Sequence, residues 1–261
     1  MGNLCKTELD SLNIGDNSGD LEDFFTKFGE SGFVLVALGS IVTMYQNKEL
    51  IKEFNSAFAH LPHGVLWTCK EGLWPKDVRL APNVKIMDWL PQTDLLAHPS
   101  IHLFVTHGGI NSIMEAIQHG VPMVGIPFFG DEYENMVRVE AKKIGVSVQL
   151  QTLKAETFAL TLKEVLEDKR YKSAAMAARA TQRSHPLTPS QCLVGWIDHI
   201  LQTGGGAHLK PRCFQQPWHM QYLLDVLLFL LGLTLGTLWL LKKVLGLLLK
   251  SLGMARKEKK A

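Results

Sequence analysis

The sequence predicts an α/β fold, a doubly wound parallel sheet with helices on both faces, followed by a single transmembrane helix. Two observations lead to this prediction. Six apolar segments alternate with helix-periodic segments between Phe33 and Leu150, and a long uncharged run lies near the C-terminus. Of the 261 residues, 46% are hydrophobic and 20% are charged, which is typical of a folded protein and not of a disordered one.

The first three strands are predicted from short apolar runs. Phe33–Leu38 is continuously apolar and is followed by a glycine, as expected for a buried parallel strand that ends in a turn. Apolar residues then recur at helical spacing from Leu50 to Leu61. Strands two and three are predicted at Val65–Cys69 and Val84–Met87.

The second half of the sheet repeats this alternation. We expect strands at Ile101–Thr106, Pro122–Ile126 and Val146–Leu150. Helices are expected before and between them, a short one at Asp94–Ala97 and longer ones at Gly109–His119 and Glu132–Lys143. Residues 154–203 are then predicted to be helical, with breaks at Lys169 and at Ser184–Pro189.

The uncharged run near the C-terminus, Val226–Leu241, predicts the transmembrane helix. Its 16 residues would reach about 24 Å at ~1.5 Å per residue, somewhat less than the ~30 Å hydrocarbon core. Lys242 and Lys243 can extend their charged ends outward, and Trp218 and Tyr222 precede the run, where amphipathic rings favour the headgroup region. A buried core helix would also fit this length, but the polar and basic flanking sequence favours a spanning helix.

These patterns divide the chain into five regions. We expect residues 1–20 to be a linker or an N-terminus unrelated to the rest of the chain, and residues 21–203 to form a folded ligand-binding domain. A juxtamembrane segment (204–222), a transmembrane helix (223–241) and a basic tail (242–261) follow.

The charge is distributed unevenly along the chain. The tail has seven Lys or Arg and one Glu, whereas the remaining residues include 20 basic and 24 acidic ones. The mildly acidic body argues against a nucleic-acid-binding domain. The positive-inside rule places the tail in the cytosol and residues 1–222 in the lumen. Lys257 and Lys259 resemble an endoplasmic-reticulum retrieval signal, although a lysine-rich tail attracted to anionic lipid explains them equally.

A lumenal body conflicts with residues 1–20, which contain no apolar export signal. We therefore expect either a piece or variant of a longer protein, or insertion by the tail in the opposite orientation.

Several classes of site are disfavoured. The four cysteines form no CxxC pair and the histidines have no ligand spacing, so we expect no metal site. A GxGxxG loop after the first strand and a GxxxxGK[ST] loop are both absent, which argues against a dinucleotide dehydrogenase and a P-loop NTPase.

The loop after the fourth predicted strand is the first candidate site. Gly108 and Gly109 allow a ligand to approach the backbone, and the start of the next helix favours phosphate. His107, Asn111 and Glu115 are four residues apart and share a helix face, where they could meet phosphate and hydroxyl groups. A Gly-rich turn with an ordinary polar helix face explains this spacing equally well.

Two further loops at the same edge carry polar and aromatic residues. Trp89 could stack on a base and Gln92 could bond the base or a ribose, while Asp131 and Glu132 could accept sugar hydroxyls. Taken singly, a core tryptophan and an ordinary first-turn pair of acids are the simpler interpretations.

Together, the three loops resemble a known signature. The 44-residue array from Trp89 to Glu132 is similar to that of UDP-dependent glycosyltransferases, through Gln92, Leu103-Phe-Val-Thr-His107-Gly-Gly, Ser112, Pro122, Pro127 and Asp131. From about Leu21 to the tail, the chain resembles the C-terminal half of a membrane-bound UDP-glucuronosyltransferase. It most resembles the 3A subfamily, in which donors other than UDP-glucuronate are used.

The resemblance implies a GT-B fold in which this half binds a UDP-sugar and transfer is inverting and metal-free. It implies that Trp89 stacks on uracil, that Gln92 and Glu115 hold the base and ribose, and that Asp131 and Glu132 contact the sugar. The diphosphate would be met by Ser40, His107, Gly109, Asn111 and Ser112.

Two departures from the family pattern affect the donor sugar. Glu132 stands where the family usually has Gln, and its carboxylate would repel a glucuronate carboxylate, so we expect a neutral donor such as glucose, xylose or N-acetylglucosamine. Thr68 stands where many relatives have Arg, so one positive contact with the donor would be missing.

The family's acceptor pocket and catalytic base lie in an N-terminal half, so no catalytic residue is expected in this chain. Two hypotheses follow. In the first, the chain belongs to a transferase that conjugates small lipophilic acceptors in the endoplasmic-reticulum membrane. In the second, it is a silent, membrane-anchored donor-binding module that associates with full-length family members. The expected partners are the UDP-sugar, the acceptor, membrane lipid and further copies of family members, and no cofactor is expected.

Overall fold

The computed structural model describes residues 18–39, 48–70, 72 and 74–258. It contains two compact units, Met1–Pro186 and Leu187–Ala261.

The first unit is built on a six-stranded parallel sheet. The strands are β1 (Phe33–Ala37), β2 (Gly64–Thr68), β3 (Val84–Met87), β4 (Ile101–Thr106), β5 (Met123–Gly125) and β6 (Gly145–Ser147). Their order is β3-β2-β1-β4-β5-β6, so the chain reverses its direction of winding between β1 and β4. This confirms the predicted doubly wound parallel sheet. In such sheets, ligands bind outside the carboxyl ends of the strands at the point of reversal.

Helices connect the strands and continue after the sheet. They are α1 (Ser18–Phe28), α2 (Lys48–Ala59), α3 (Gln92–Ala97), α4 (Ile110–His119), α5 (Glu132–Ala141), α6 (Ala155–Glu167) and α7 (Lys169–Arg183).

Side chains alternate between the two faces of the sheet and build a core on each face. Along β1, Leu35 points into one core and Val34 and Val36 into the other. The first core also contains Leu21, Phe24, Phe33, Phe104, Ile113 and Met136, and the second contains Phe54, Phe58, Trp67, Leu103 and Phe158. Burial on both faces explains why β1 is continuously apolar.

Helix α1 was not predicted. It begins at Ser18, inside the segment expected to be a linker, and buries Leu21, Phe24 and Phe25 against the sheet. The preceding residues are rich in Gly, Asn and Asp, which favour turns and hide the start of the helix. The helical spacing of the apolar residues from Leu21 onwards is the signal that identifies it.

The sixth strand also differs from its prediction. Strand β6 ends at Ser147, and Leu150–Thr152 forms a 3₁₀ turn instead of continuing the strand expected over Val146–Leu150. Among the described residues, β6 pairs with the short β5, and the paired residues run from Met123–Gly145 to Gly125–Ser147.

The second unit contains α8 (Pro189–Gln202), 3₁₀ turns at Ala207–Leu209 and Arg212–Gln215, α9 (Trp218–Gln221) and α10 (Leu224–Glu258). Thr188 and Gln191 form a reciprocal capping box at the start of α8. Within the described part of the chain, one stretch is long and apolar enough to cross a membrane, Leu224–Leu248, with a mean hydropathy of 2.1 and no burial. Helix α10 continues past Lys242 and Lys243, so it is longer than the predicted residues 223–241.

Candidate functional site

The candidate site lies at the carboxyl edge of the sheet, beside the reversal between β1 and β4. The loop after β4 leads directly into α4, which begins at Ile110 after Gly109. No side chain caps this helix start. Its first N–H groups and the positive end of its dipole are therefore available to an anion.

A cluster of three side chains joins two of the predicted motifs. Gln92 Nε2 donates to Ser112 Oγ at 3.2 Å and to Glu115 Oε2 at 2.9 Å. Gln92 begins α3, whereas Ser112 and Glu115 lie on the first turns of α4. Tertiary packing thus brings together residues that are 20 and 23 positions apart in the chain. Both hydrogens of the Gln92 amide are used within the cluster.

The His107 imidazole is held against two glycines. A Cβ atom at Gly39 would stand 3.0 Å from His107 Nε2, and a Cβ atom at Gly109 would stand 2.5 Å from it. Gly39 also has φ +80°, a left-handed conformation that strains other residues. Both glycines are therefore needed for the position of this ring.

Burial lowers the pKa of His107 below 6.5, while the charges of Glu132 and Asp131 and a hydrogen bond to the Ala37 backbone act in the opposite direction. The lowered pKa favours the neutral imidazole at neutral pH. Nδ1 of the ring is buried and makes no hydrogen bond with the described residues.

The third predicted motif is held by backbone contacts. Glu132 is only 5% exposed, and its Oε2 accepts the N–H groups of Phe128 at 2.7 Å and Phe129 at 3.1 Å. One oxygen of the carboxylate therefore ties down the loop that follows β5. The sequence-based expectation assigned Glu132 only to the sugar.

Asn135 is a residue that the sequence analysis missed. It is 6% exposed, and its Nδ2 donates to Asp131 Oδ2 at 2.8 Å and to the Gly108 carbonyl at 3.1 Å. Asn135 thus connects the loops after β4 and β5. Its position four residues after Asp131, on the same helix face, is the signal that could have identified it.

Met136, also missed, fills the space beneath the glycines. A Cβ atom at Gly108 would stand 3.0 Å from Met136 Cγ, and one at Gly125 would collide with the Met136 sulfur. These two positions therefore have to be small for the loop after β4 to lie close to α5.

The remaining predicted residues that the structure describes are exposed. Trp89 is 63% exposed on the loop after β3, and Asn111 is exposed on the first turn of α4. Asp131 is exposed and touches the site through Asn135. Ser40 lies outside the described residues. Over the residues that the structure covers, no group of three or more His, Cys, Asp or Glu side chains could hold a metal ion.

Comparison with protein families and curated proteins gives a consistent result. Residues 6–260 match the family model described as "UDP-glucoronosyl and UDP-glucosyl transferase". The chain is 76% identical over 242 residues to UDP-glucuronosyltransferase 3A1 of Mus musculus, and 72% identical over 240 residues to UDP-glucuronosyltransferase 3A2 of Homo sapiens. These matches cover 93% and 92% of this chain but 46% of each relative, so the chain spans about half the length of these relatives.

Solved structures show the same fold. A UDP-glucose: anthocyanidin 3-O-glucosyltransferase in complex with UDP matches with a TM-score of 0.57 and 27% identity, over 65% of this chain and 40% of that one. The glycotransferase of kitacinnamycin matches with a TM-score of 0.54 and 27% identity, over 59% of this chain and 39% of that one. The likeness shows that the sheet and its helices have the architecture of GT-B glycosyltransferases.

Proposed function

Because the chain belongs to the UDP-glucuronosyl and UDP-glucosyl transferase family, we propose that residues 21–203 bind a UDP-sugar at the carboxyl edge of the sheet. In the whole enzyme, the sugar is then transferred with inversion to a small lipophilic acceptor. The observation that carries the proposal is the Gln92–Ser112–Glu115 cluster beside the uncapped start of α4.

The cluster suits the nucleoside end of the donor. Trp89, exposed on the preceding loop, stacks on uracil, and Gln92 presents its carbonyl oxygen to the base. Glu115 accepts a ribose hydroxyl. Because Ser112 Oγ already accepts a hydrogen bond from Gln92, its own hydrogen is directed to a phosphate oxygen.

The diphosphate binds at the start of α4 without a metal ion. The N–H groups there, with the side chains of Ser40, His107, Asn111 and Ser112 and the backbone of Gly109, neutralise its charge. The buried Nδ1 of His107 has no hydrogen-bond partner among the described residues, and in the neutral ring it is an acceptor that a water molecule could satisfy, because the other nitrogen donates to the Ala37 backbone.

Asp131 and Glu132 lie on the sugar side of the site. Glu132 holds its loop through Oε2, but its negative charge remains next to the sugar position. This charge repels the carboxylate of glucuronate, so the donor sugar is neutral: glucose, xylose or N-acetylglucosamine. The test is competition binding of UDP-glucuronate and UDP-glucose. Tighter binding of UDP-glucuronate than of UDP-glucose would refute the proposal of a neutral donor. The variant Glu132→Gln is expected to reduce the difference in affinity between the two UDP-sugars.

The catalytic base lies outside this chain. General-base catalysis requires a group positioned beside the acceptor hydroxyl, and His107 is enclosed by Gly39 and Gly109 on the phosphate side. The whole enzyme is therefore completed by an acceptor-binding half. As an alternative, the chain acts as a silent donor-binding module that associates with full-length family members.

Helix α10 anchors the protein in the endoplasmic-reticulum membrane as a single pass, with residues 1–222 lumenal and the basic tail cytosolic. This arrangement is supported by the apolar stretch Leu224–Leu248 and by the basic residues that follow Leu241, which begin with Lys242 and Lys243.

Calorimetry on the full chain in detergent, with EDTA present, tests donor binding. UDP is expected to bind, and Glu115→Gln to weaken binding about tenfold, a loss of ~1.4 kcal/mol. The exposed Glu156→Gln on α6 is the matched control and is expected to have no effect. Failure of the folded chain to bind UDP would contradict the proposal. Product formation from the isolated chain with a UDP-sugar and a phenolic acceptor would rule out the silent module.

A further inference from the structure

The juxtamembrane segment, residues 204–222, carries basic but no acidic side chains. Asp198 and Asp225 are the acidic residues nearest to it on either side, and between them the chain has the basic residues Lys210 and Arg212 but no Asp or Glu. The side-chain charges in this segment are therefore positive.

Two short helical turns give the segment a defined shape. The turns Arg212–Gln215 and α9 each begin directly after a proline, Pro211 and Pro217. Proline suits the first positions of a helix because its missing N–H would have no helical partner there. Gln221 Nε2 donates to the Cys213 carbonyl at 2.9 Å and ties α9 to the preceding turn.

The shape leaves three rings exposed. Phe214, Trp218 and Tyr222 are 62%, 66% and 69% exposed, at intervals of four residues. Leu209 and Met220 are exposed beside them. Trp and Tyr combine an apolar body with a hydrogen-bonding edge, and this is why both are enriched at the membrane–water interface.

The chain bends where the segment meets the membrane helix. Leu223 has φ +52°, a left-handed conformation that is uncommon for a residue other than glycine. Its N–H donates to the Met220 carbonyl at 3.2 Å, and its carbonyl accepts the Leu227 N–H at 3.0 Å. Helix α9 is therefore not a continuation of α10, and the backbone changes direction one residue before the apolar helix begins.

We propose that the juxtamembrane segment lies in the boundary between the lipid headgroups and acyl chains of the bilayer that α10 crosses. The three rings are inserted at this level, and Lys210 and Arg212 contact lipid phosphates. The inference rests on the proposed membrane-spanning role of α10. A lipid surface fits better than a protein partner because only Leu223 separates the segment from the spanning helix, which keeps the rings near the headgroups.

The exposed Cys213 allows a direct test. In the 261-residue chain with Cys5→Ser and Cys192→Ser, an environment-sensitive dye is attached to Cys213. Cys69 remains, because it is buried and burial raises the pKa of its thiol to about 11, which suppresses labelling. The protein is reconstituted into phosphatidylcholine vesicles that carry a nitroxide quencher either high or low on the acyl chain. We expect stronger quenching by the shallow nitroxide than by the deep one.

A second label separates this inference from the spanning role of α10. A dye at Thr234→Cys, near the middle of Leu224–Leu248, is expected to be quenched more by the deep nitroxide. If the Thr234 dye is deep while the Cys213 dye emits as in water and responds to neither nitroxide, the interfacial segment is refuted and the spanning helix stands. If the Thr234 dye is not quenched, the spanning helix itself is refuted.

A variant with Phe214→Ser, Trp218→Ser and Tyr222→Ser tests the role of the rings. Shallow quenching of the Cys213 dye is expected to be lost, while the Thr234 dye in the same background stays deep. Unchanged shallow quenching would show that the link to α10 alone sets the depth, and would overturn the insertion of the rings.

Discussion

On the α4 side of the candidate site, polar side chains bind one another, whereas on the α5 side three of the four hydrogen bonds are with the backbone. The α4 side consists of Gln92, Ser112 and Glu115, which are partly exposed and joined through one amide. The α5 side consists of Glu132 and Asn135, which are buried and hold the loops after β5 and β4. A ligand can replace contacts between exposed side chains, but buried backbone contacts set the shape of the loops. Substitutions on the α5 side should therefore change mainly the stability of the fold, whereas substitutions on the α4 side should change mainly the affinity for UDP.

The largest expected effect is on the α5 side. Glu132→Ala removes a buried, charged acceptor from two backbone N–H groups, and we expect a loss of about 2–4 kcal/mol in the free energy of unfolding. Urea unfolding of the full chain in mild detergent, followed by near-UV circular dichroism, measures this loss. Glu132→Gln retains an acceptor and should lose less. Glu134→Ala on the same helix, exposed and paired loosely with Arg138 at 3.6 Å, is the control and should change stability by at most about 0.5 kcal/mol.

Asn135→Leu is expected to have the next largest effect. It removes the link between the Gly108 carbonyl and Asp131, and should cost about 1–3 kcal/mol in unfolding free energy as well as weaken UDP binding. Asn55→Leu is the matched control, because Asn55 is also buried and holds the backbone of Arg79 and Ala81, away from the site. We expect similar destabilisation with unchanged UDP affinity. Equal losses of UDP affinity in both variants would show that Asn135 acts only through general stability.

On the α4 side, binding should change more than stability. Gln92→Leu removes the amide that joins Ser112 and Glu115, and we expect UDP affinity to fall about tenfold, or ~1.4 kcal/mol, measured by calorimetry. The exposed Gln118→Leu, on the same helix as Glu115, serves as the control and should bind UDP normally. A Gln92→Leu protein that is strongly destabilised but still binds UDP with full affinity would contradict the proposed difference between the two sides.

The smallest expected effect is the contribution of His107 to the pH dependence of stability. Because burial lowers its pKa in the folded state, the unfolded chain binds more protons once the pH falls below about 6.5. This contribution to stability is therefore present above that pH and is lost as the pH falls through the folded-state pKa. His63, His102 and His119, whose pKa values are also lowered mainly by burial, act in the same direction.

Urea unfolding between about pH 7 and pH 5 measures this dependence. His107→Asn is expected to flatten the curve and to weaken UDP binding, whereas His63→Asn should flatten it without changing UDP binding. A curve that is as steep in His107→Asn as in the original chain would contradict the assignment.

Local patterns were sufficient for most of the sheet. Strands of a parallel sheet are buried on both faces, so Phe33–Leu38 and Leu103–Val105 appear as apolar runs. Sequence patterns were insufficient where the end of an element depends on strand pairing or where the preceding residues conceal the start of a helix. β6 ends at Ser147, where its pairing with the short β5 also ends, and α1 was hidden by the turn-forming residues before Leu21.

The sequence by itself determined the alternation of strands and helices, the apolar C-terminal helix and the residue types in the loops at the carboxyl edge of the sheet, because these depend on local composition and period. Only the tertiary structure decided which polar groups meet. Gln92 reaches Ser112 and Glu115 because α3 packs beside α4, and Asn135 reaches Gly108 because glycines at 108 and 125 leave room for Met136 beneath the loop. The tertiary structure likewise decided that Glu132 holds the loop after β5, since hydrogen bonds to a loop depend on how the backbone folds back and not on the spacing of residues in the chain.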